Sequence, residues 1–208
     1  MKYTLHNTQA KTLGGIGAIL VLLSFVPYAG AVLGLVGFVM ILAAVKYISD
    51  DLADRTIFNN MMYAVILGII GLVVGSVVIG GTVLSAYYAG YFNGPNFTPS
   101  ASVTTAQWIT FGTAIGLGLV GAWAFLLASS VFLRRSYNTI GAKLNVSMFG
   151  TSGLLYLIGA ATAIVGVGFV ILLVAEILTA VSFFSIPEQR PQQYQVAQGP
   201  QTSAPSSV

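Results

Sequence analysis

The chain of 208 residues contains no cysteine, a single histidine and very little charge. The missing cysteine excludes disulfides, thiolate nucleophiles and Cys-based zinc or iron–sulfur sites. A lone histidine, His6, in the polar N-terminal stretch reads as a surface residue rather than a ligand. Eight Lys and Arg and five Asp and Glu make up 6% of the chain, against roughly a quarter in an ordinary soluble domain. No Asp, Glu, Lys, Arg or His occurs from Thr56 through Leu133. Such a surface does not stay soluble and monomeric in water, so the bilayer is its natural solvent. No nucleophile–base pair, metal-ligand cluster or phosphate loop is visible. The reading is therefore a protein that is not an enzyme, with no cofactor, no nucleic-acid partner and no identifiable small-molecule substrate.

What is present is apolar residues, 56% of the chain, arranged in long runs. The first uncharged run, Leu13 to Val45, is 33 residues long. As one helix it would measure about 50 Å, against a hydrocarbon core of about 30 Å. Phe25-Val26-Pro27-Tyr28-Ala29-Gly30 sits in its middle, and proline and glycine end helices. Two short spans, 10–26 and 29–47, joined by a tight hairpin are expected. Longer spans follow at 61–88, 108–133 and 154–184. A cleaved signal peptide ending at Ala29-Gly30-Ala31 is the rival for the first span, but the apolar run continues straight past that site.

Lys2, Lys11, Lys46, Arg55, Arg134, Arg135 and Lys143 then share one side, and only Arg190 stands on the other. The positive-inside rule puts the seven in the cytoplasm. The expected fold class is all-α: an integral membrane helical bundle of about five transmembrane helices, N-in/C-out. Residues 1–187 form one transmembrane domain. Residues 188–208, rich in Gln, Pro, Ser and Thr, form a disordered external tail. Tyr28, Tyr87, Tyr88, Tyr91 and Trp108 map to the outer interface, as an aromatic belt would. In the external loop, Asn96-Phe97-Thr98 is an N-glycosylation acceptor pattern; a second match, Asn145-Val146-Ser147, falls inside.

Helices in lipid associate through close packing rather than hydrophobic burial. Small residues four apart are expected to supply it: Gly30 and Gly34, Gly71 and Gly75, Gly112 and Gly116, and Gly159. Ser49-Asp50-Asp51 looks like a helix N-cap followed by acids. From Arg134 to Gly150, Tyr137, Ile140, Leu144 and Met148 recur on one helical face. Arg134, Asn138, Lys143 and Asn145 lie off that face, as in a connector lying flat at the headgroups, with Arg134, Arg135 and Lys143 as its interfacial cations.

Glu176 is the only charged residue in the interior of an expected span. Intramembrane ionisable groups are costly and mark functional hypotheses by default. No other span interior holds Lys, Arg or His. Its neutral form is both donor and acceptor, so it reads as interhelical glue, as a proton or cation relay, or as a contact to another subunit. Tyr156, Thr162 and Ser76 are the scattered polar residues available to a relay.

Several phrases together carry a family resemblance. They are Leu13-Gly14-Gly15-Ile16-Gly17, Lys46-Tyr47-Ile48-Ser49-Asp50, Ile57-Phe58-Asn59-Asn60, Phe132-Leu133-Arg134-Arg135-Ser136-Tyr137, Leu155-Tyr156-Leu157-Ile158-Gly159-Ala160, Ala175-Glu176-Ile177-Leu178 and Phe183-Phe184-Ser185-Ile186-Pro187. Over residues 10 to 187 the chain resembles an uncharacterised, mostly archaeal polytopic membrane family, domain of unknown function nine hundred and ninety-six. The resemblance implies a shared membrane fold, no assigned activity, and an acidic residue where Glu176 stands.

The expected role is a non-catalytic accessory, scaffold or assembly subunit in the cell membrane, with the lipid bilayer and other membrane subunits or a second copy as partners. The alternative is a small transporter or channel, proton-coupled through Glu176. Transport would need a polar cavity near the midplane and usually broken helices.

Overall fold

The structure, a computed structural model, describes residues 3–187. Lys2, Arg190 and the tail expected over 188–208 lie outside the described residues. Six helices follow one another: α1 Tyr3–Leu22, α2 Gly30–Asp51, α3 Arg55–Tyr88, α4 Thr105–Leu144, α5 Ser147–Thr162 and α6 Gly168–Phe184. Two short antiparallel strands, β1 Phe92–Asn93 and β2 Thr98–Pro99, close the loop between α3 and α4. The protein is an all-α membrane bundle. Four stretches are long and apolar enough to cross a bilayer: Val32–Asp51, Arg55–Tyr88, Thr105–Leu144 and Ser147–Val165.

The first hairpin forms where proline and glycine placed it. The Gly30 amide donates to the Val26 carbonyl at 2.8 Å, and Tyr28 takes a left-handed φ of 67°. Gly30 is obligatory, because a Cβ there would collide with the Ser24 carbonyl oxygen. Lower down, a Cβ on Gly17 would lie 2.7 Å from the Gly37 carbonyl oxygen. The backbones of α1 and α2 therefore touch, as small residues in membrane helices permit.

Between α2 and α3 the structure corrects the expected cap. Ser49, Asp50 and Asp51 are the last turn of α2, where the Lys46 ammonium meets Asp50 at 2.5 Å, one turn away. The helix ends only when Ala53 takes a φ of 50°. Asp54 is the true N-cap of α3, accepting from the Thr56 amide at 2.9 Å. Ser49 ties the corner by donating to the Asp54 carbonyl at 2.8 Å.

The helices α3 and α4, 34 and 40 residues long, extend about 51 and 60 Å and pack against each other along their length. A capping box between Thr104 and Gln107 starts α4. The separate flat connector expected from Arg134 to Gly150 does not form. No helix breaker stands after Leu133, so α4 runs on to Leu144 and stops at Asn145, in the left-handed region with φ 56°. Tyr137 and Ile140 of the expected stripe are buried in the core, while Met148 lies exposed on α5.

The largest correction concerns the expected fifth span. Residues 154–184 are not one helix. The helix α5 begins at Ser147, and the chain reverses through Ala163–Val167 with Gly166 at φ 85°, so that α6 returns antiparallel to α5. Gly168 makes the reversal tight: a Cβ there would strike the Gly159 carbonyl and the Ala163 backbone. The two halves are 16 and 17 residues long, about 24 Å each, near the lower limit for a membrane span.

Consequently the end of α6 lies where α1 begins. A Cβ on Gly14 would run into the Phe183 ring, and Ile186 is buried in one cluster with Ala10 and Ile57. A single span over 154–184 would have carried Phe184 to the opposite end from the start of α1; the end of α6 instead lies beside it. Lys11, Lys46, Arg55, Arg134, Arg135 and Lys143, every Lys and Arg among the described residues, lie within ten positions of a helix terminus at this one end.

Both hairpins enter from this charged end, and neither reaches the aromatic cluster at the other. That cluster, Tyr91, Phe92, Trp108 and Phe111, holds its rings 5.6–6.2 Å apart. Gly166 at the tip of α5–α6 shares a cavity with Leu119 and Trp123, and Leu119 is eleven positions, about 16 Å, from Trp108 along α4. Ser24 near the tip of α1–α2 shares one with Leu126 and Ser129, further still from Trp108. Tyr28 therefore does not join the outer belt; it is fully exposed at the hairpin tip.

Side chains tie the bundle with hydrogen bonds to backbone carbonyls, which lipid cannot supply. Ser136 donates to Ile57 at 2.9 Å, Ser129 to Ala64 at 2.8 Å, and the Trp123 indole to Ala160 at 2.9 Å.

Candidate functional site

Glu176 projects from the middle of α6 and is 8% exposed. It stands eight positions, about 12 Å, before the charged end of that helix at Phe184. The reversal at Gly166 brings α5 alongside. The Tyr156 hydroxyl donates to Glu176 Oε2, while Oε1 is buried without a hydrogen-bond partner. One turn toward the charged end, the pair is braced by Ser152 and Thr179, whose hydroxyls lie 2.6 Å apart and are both within hydrogen-bond distance of the Ala175 carbonyl. The Tyr137 ring meets Tyr156 edge-on, with centroids 6.2 Å apart.

Glu176 lines a cavity of about 290 Å³ between α1, α4, α5 and α6. Ser24, Ser129, Ser130 and Tyr156 are its polar walls, and Phe169 and Leu172 are among the apolar ones. Among the described residues, no Lys, Arg or His lines it. Ser129 and Ser130 already donate their protons to the Ala64 and Leu127 carbonyls. A second cavity, of about 600 Å³, adjoins the first through the shared walls Leu126 and Phe169. No charged side chain lines it, and its one indole N–H, on Trp123, is spent on Ala160.

Of the other polar residues considered for a relay, Thr162 bonds its own helix at Ile158, 2.8 Å away, and Ser76 is exposed on α3. Only Tyr156 reaches Glu176. Sequence reasoning passed over Ser24, Ser129, Ser130, Ser152 and Thr179, because small hydroxyls in apolar runs carry no pattern. The one available signal was Gly166-Val167-Gly168 in mid-run, which marks the reversal that assembles the pair.

The remaining candidate residues scatter. Asn96 is exposed in the β1–β2 turn, beside the aromatic cluster and away from the charged end. Arg135 lies 5.4 Å from the Phe132 ring, Arg134 flanks Gly153 of α5, and Lys143 pairs with Asp54 at 2.6 Å. That ammonium, with the Thr56 hydroxyl and amide, holds the Asp54 carboxyl down at about 2. Among the glycines, a Cβ on Gly34 would come 2.9 Å from Ser24, on Gly71 2.6 Å from Phe125, on Gly75 2.9 Å from Ala122 and on Gly159 2.9 Å from Leu172. The expectation for Gly112 and Gly116 is not met within the chain: nothing lies within 4 Å of a Cβ at either. These two stand on the part of α4 that rises above both hairpins, where no helix but α3 is near.

Comparison with known proteins gives a family but no activity. Residues 33–177 match the model of the family described as "Protein of unknown function (DUF996)". An uncharacterized protein of Methanocaldococcus jannaschii is 34% identical over 184 residues, covering 86% of this chain and 93% of the relative. No solved structure matches.

Proposed function

From the premise that this chain belongs to that membrane family of unknown function, we propose that it is a small, non-catalytic carrier that takes up and releases a proton or another small cation at Glu176. One observation carries the reading: a carboxyl more than nine-tenths buried inside the helical bundle, with one oxygen unpartnered, on a residue that lines a cavity. A carboxylate in such surroundings needs a positive charge beside it, and no side chain in the cavity provides one. A broken helical run at membrane depth, with its reversal lining an open space, is the backbone arrangement that membrane carriers use. The gathering of Lys and Arg at one end supports a cytoplasmic placement of both described termini, in the cell membrane.

The test is infrared difference spectroscopy of the protein in lipid nanodiscs during a pH titration, with Glu176→Gln as the subtraction. A protonated-carboxyl band that titrates and vanishes in the variant is the expected result. A Glu176 carboxyl that does not change across the range would reduce it to a fixed packing contact.

A second reading, an assembly subunit, rests on a separate observation. Gly80 and Gly81 of α3 and Gly112 and Gly116 of α4 all face open space. A glycine face bare in lipid suits the close approach of another membrane helix.

A further inference from the structure

We infer that the two adjoining cavities form one binding site for an amphipathic organic monocation, with its charged head on Glu176 and its apolar body in the larger cavity. The inference rests on the proposed chemistry of Glu176 and names what exchanges with the proton there.

The geometry divides the site chemically. The smaller cavity is lined by Glu176, whose Oε1 is buried and unpartnered, together with Ser24, Ser129, Ser130 and Tyr156. Leu126 and Phe169 also line the larger cavity, of about 600 Å³ against about 290 Å³, and among the described residues no charged side chain lines it. The smaller cavity corresponds to roughly ten waters at about 30 Å³ each, which is room for a substituted ammonium head. Phe169 lines both cavities, and an aromatic ring attracts a cation placed over its face. A bare inorganic cation is a poor fit. Hard cations gather several oxygens, and here one carboxyl is set among hydrocarbon walls with the Ser129 and Ser130 hydroxyls already bonded to carbonyls. A neutral lipid tail suits the larger cavity but leaves the carboxylate without its counter-charge.

The titratable groups that face Glu176 are Tyr156 from α5 and, behind it, Tyr137 from α4. The cavity wall from the α1 hairpin is Val21 and Ser24, with no charge. An entering cation therefore displaces the proton of Glu176 itself, and that proton leaves to water.

The experiment is equilibrium binding of benzyltriethylammonium to the full chain in zwitterionic nanodiscs, with neopentylbenzene as the neutral comparison. Saturable binding of about one cation per chain is expected, accompanied by proton release to unbuffered solution. It should weaken about tenfold or more in Glu176→Gln, and also in Leu119→Trp, which fills the larger cavity from an exposed position and spares the core. Glu176→Asp, which keeps the charge, guards against misfolding as the cause and should bind better than Glu176→Gln. Equal binding of the neutral compound, binding unaffected by either loss variant, or no saturable binding overturns the inference. If the Glu176 carboxyl titrates in the infrared while the cation does not bind, this inference falls and the proton reading stands. If that carboxyl never titrates, the proton reading falls and takes this one with it.

Discussion

The ring of Phe149, in the first turn of α5, meets that of Phe183, in the last turn of α6, edge to face at 5.0 Å. Two residues 34 positions apart in an apolar stretch thus lie at the same depth, at the charged end. The chain between them must go up and come back, and Gly166 is where it turns.

Topology follows directly, and the absence of cysteine makes it measurable. Single cysteines at Ala53, Ser185 and Asn96, all exposed, are to be probed in intact cells with a thiol reagent that cannot cross the membrane. Ala53→Cys and Ser185→Cys should behave alike, and Asn96→Cys oppositely. Labelling of Ser185→Cys together with Asn96→Cys would restore a single fifth span.

The glycines divide into two kinds. Gly168→Ala places a methyl against backbone atoms of Gly159 and Ala163, a clash that rotamer changes cannot relieve, and should cost about 1–3 kcal/mol. Gly112→Ala and Gly116→Ala meet nothing, so in an isolated chain they should be neutral or gain up to about 1 kcal/mol of helix propensity. Thermal unfolding in mild detergent ranks them. Dissociation of an oligomer by the α4 variants, seen by native mass measurement, would show that another chain covers that face.

Interhelical serines should each matter modestly. Ser136→Ala removes its bond to the Ile57 carbonyl, and Ser129→Ala the bond to Ala64. Each should lower stability by roughly 0.6 kcal/mol, the usual scale for side-chain bonds between membrane helices. A loss several times larger from Ser136→Ala would mean that Ile57 has no alternative donor.

Low pH should weaken the α2–α3 corner through Asp54. Its carboxyl is held down at about 2, first by the Lys143 ammonium, then by the Thr56 hydroxyl and amide. A depressed folded-state value stabilises the folded form above the unfolded value of 3.8, and that contribution is lost as pH falls through about 2. The stability difference between the protein and Asp54→Asn should be constant above pH ~4 and shrink from there to about 2. A difference unchanged across that window would show that the ion pair does not couple to folding. Both partners are partly exposed, so added salt should shrink the difference as well.

Composition and run length alone determined the solvent, the helical class and the sidedness of most charges. Uncharged runs of such length can satisfy their backbone in lipid only as helices. Pro27 and Gly30 made the first hairpin legible, because a proline changes local backbone energetics whatever surrounds it. The second hairpin obeyed the same argument from length, but its breaker was Gly166, and glycine in an apolar run serves packing as readily as turning. Only the tertiary structure decided between them, through the contact of Gly168 with Gly159 and the edge-to-face contact of Phe149 with Phe183. That decision moved the described C-terminal end to the other face and set Tyr156 against Glu176. It also joined Ser24, Ser129 and Phe169, from three separate parts of the chain, into one cavity wall, because a site made of long-range neighbours has no period for a sequence to display.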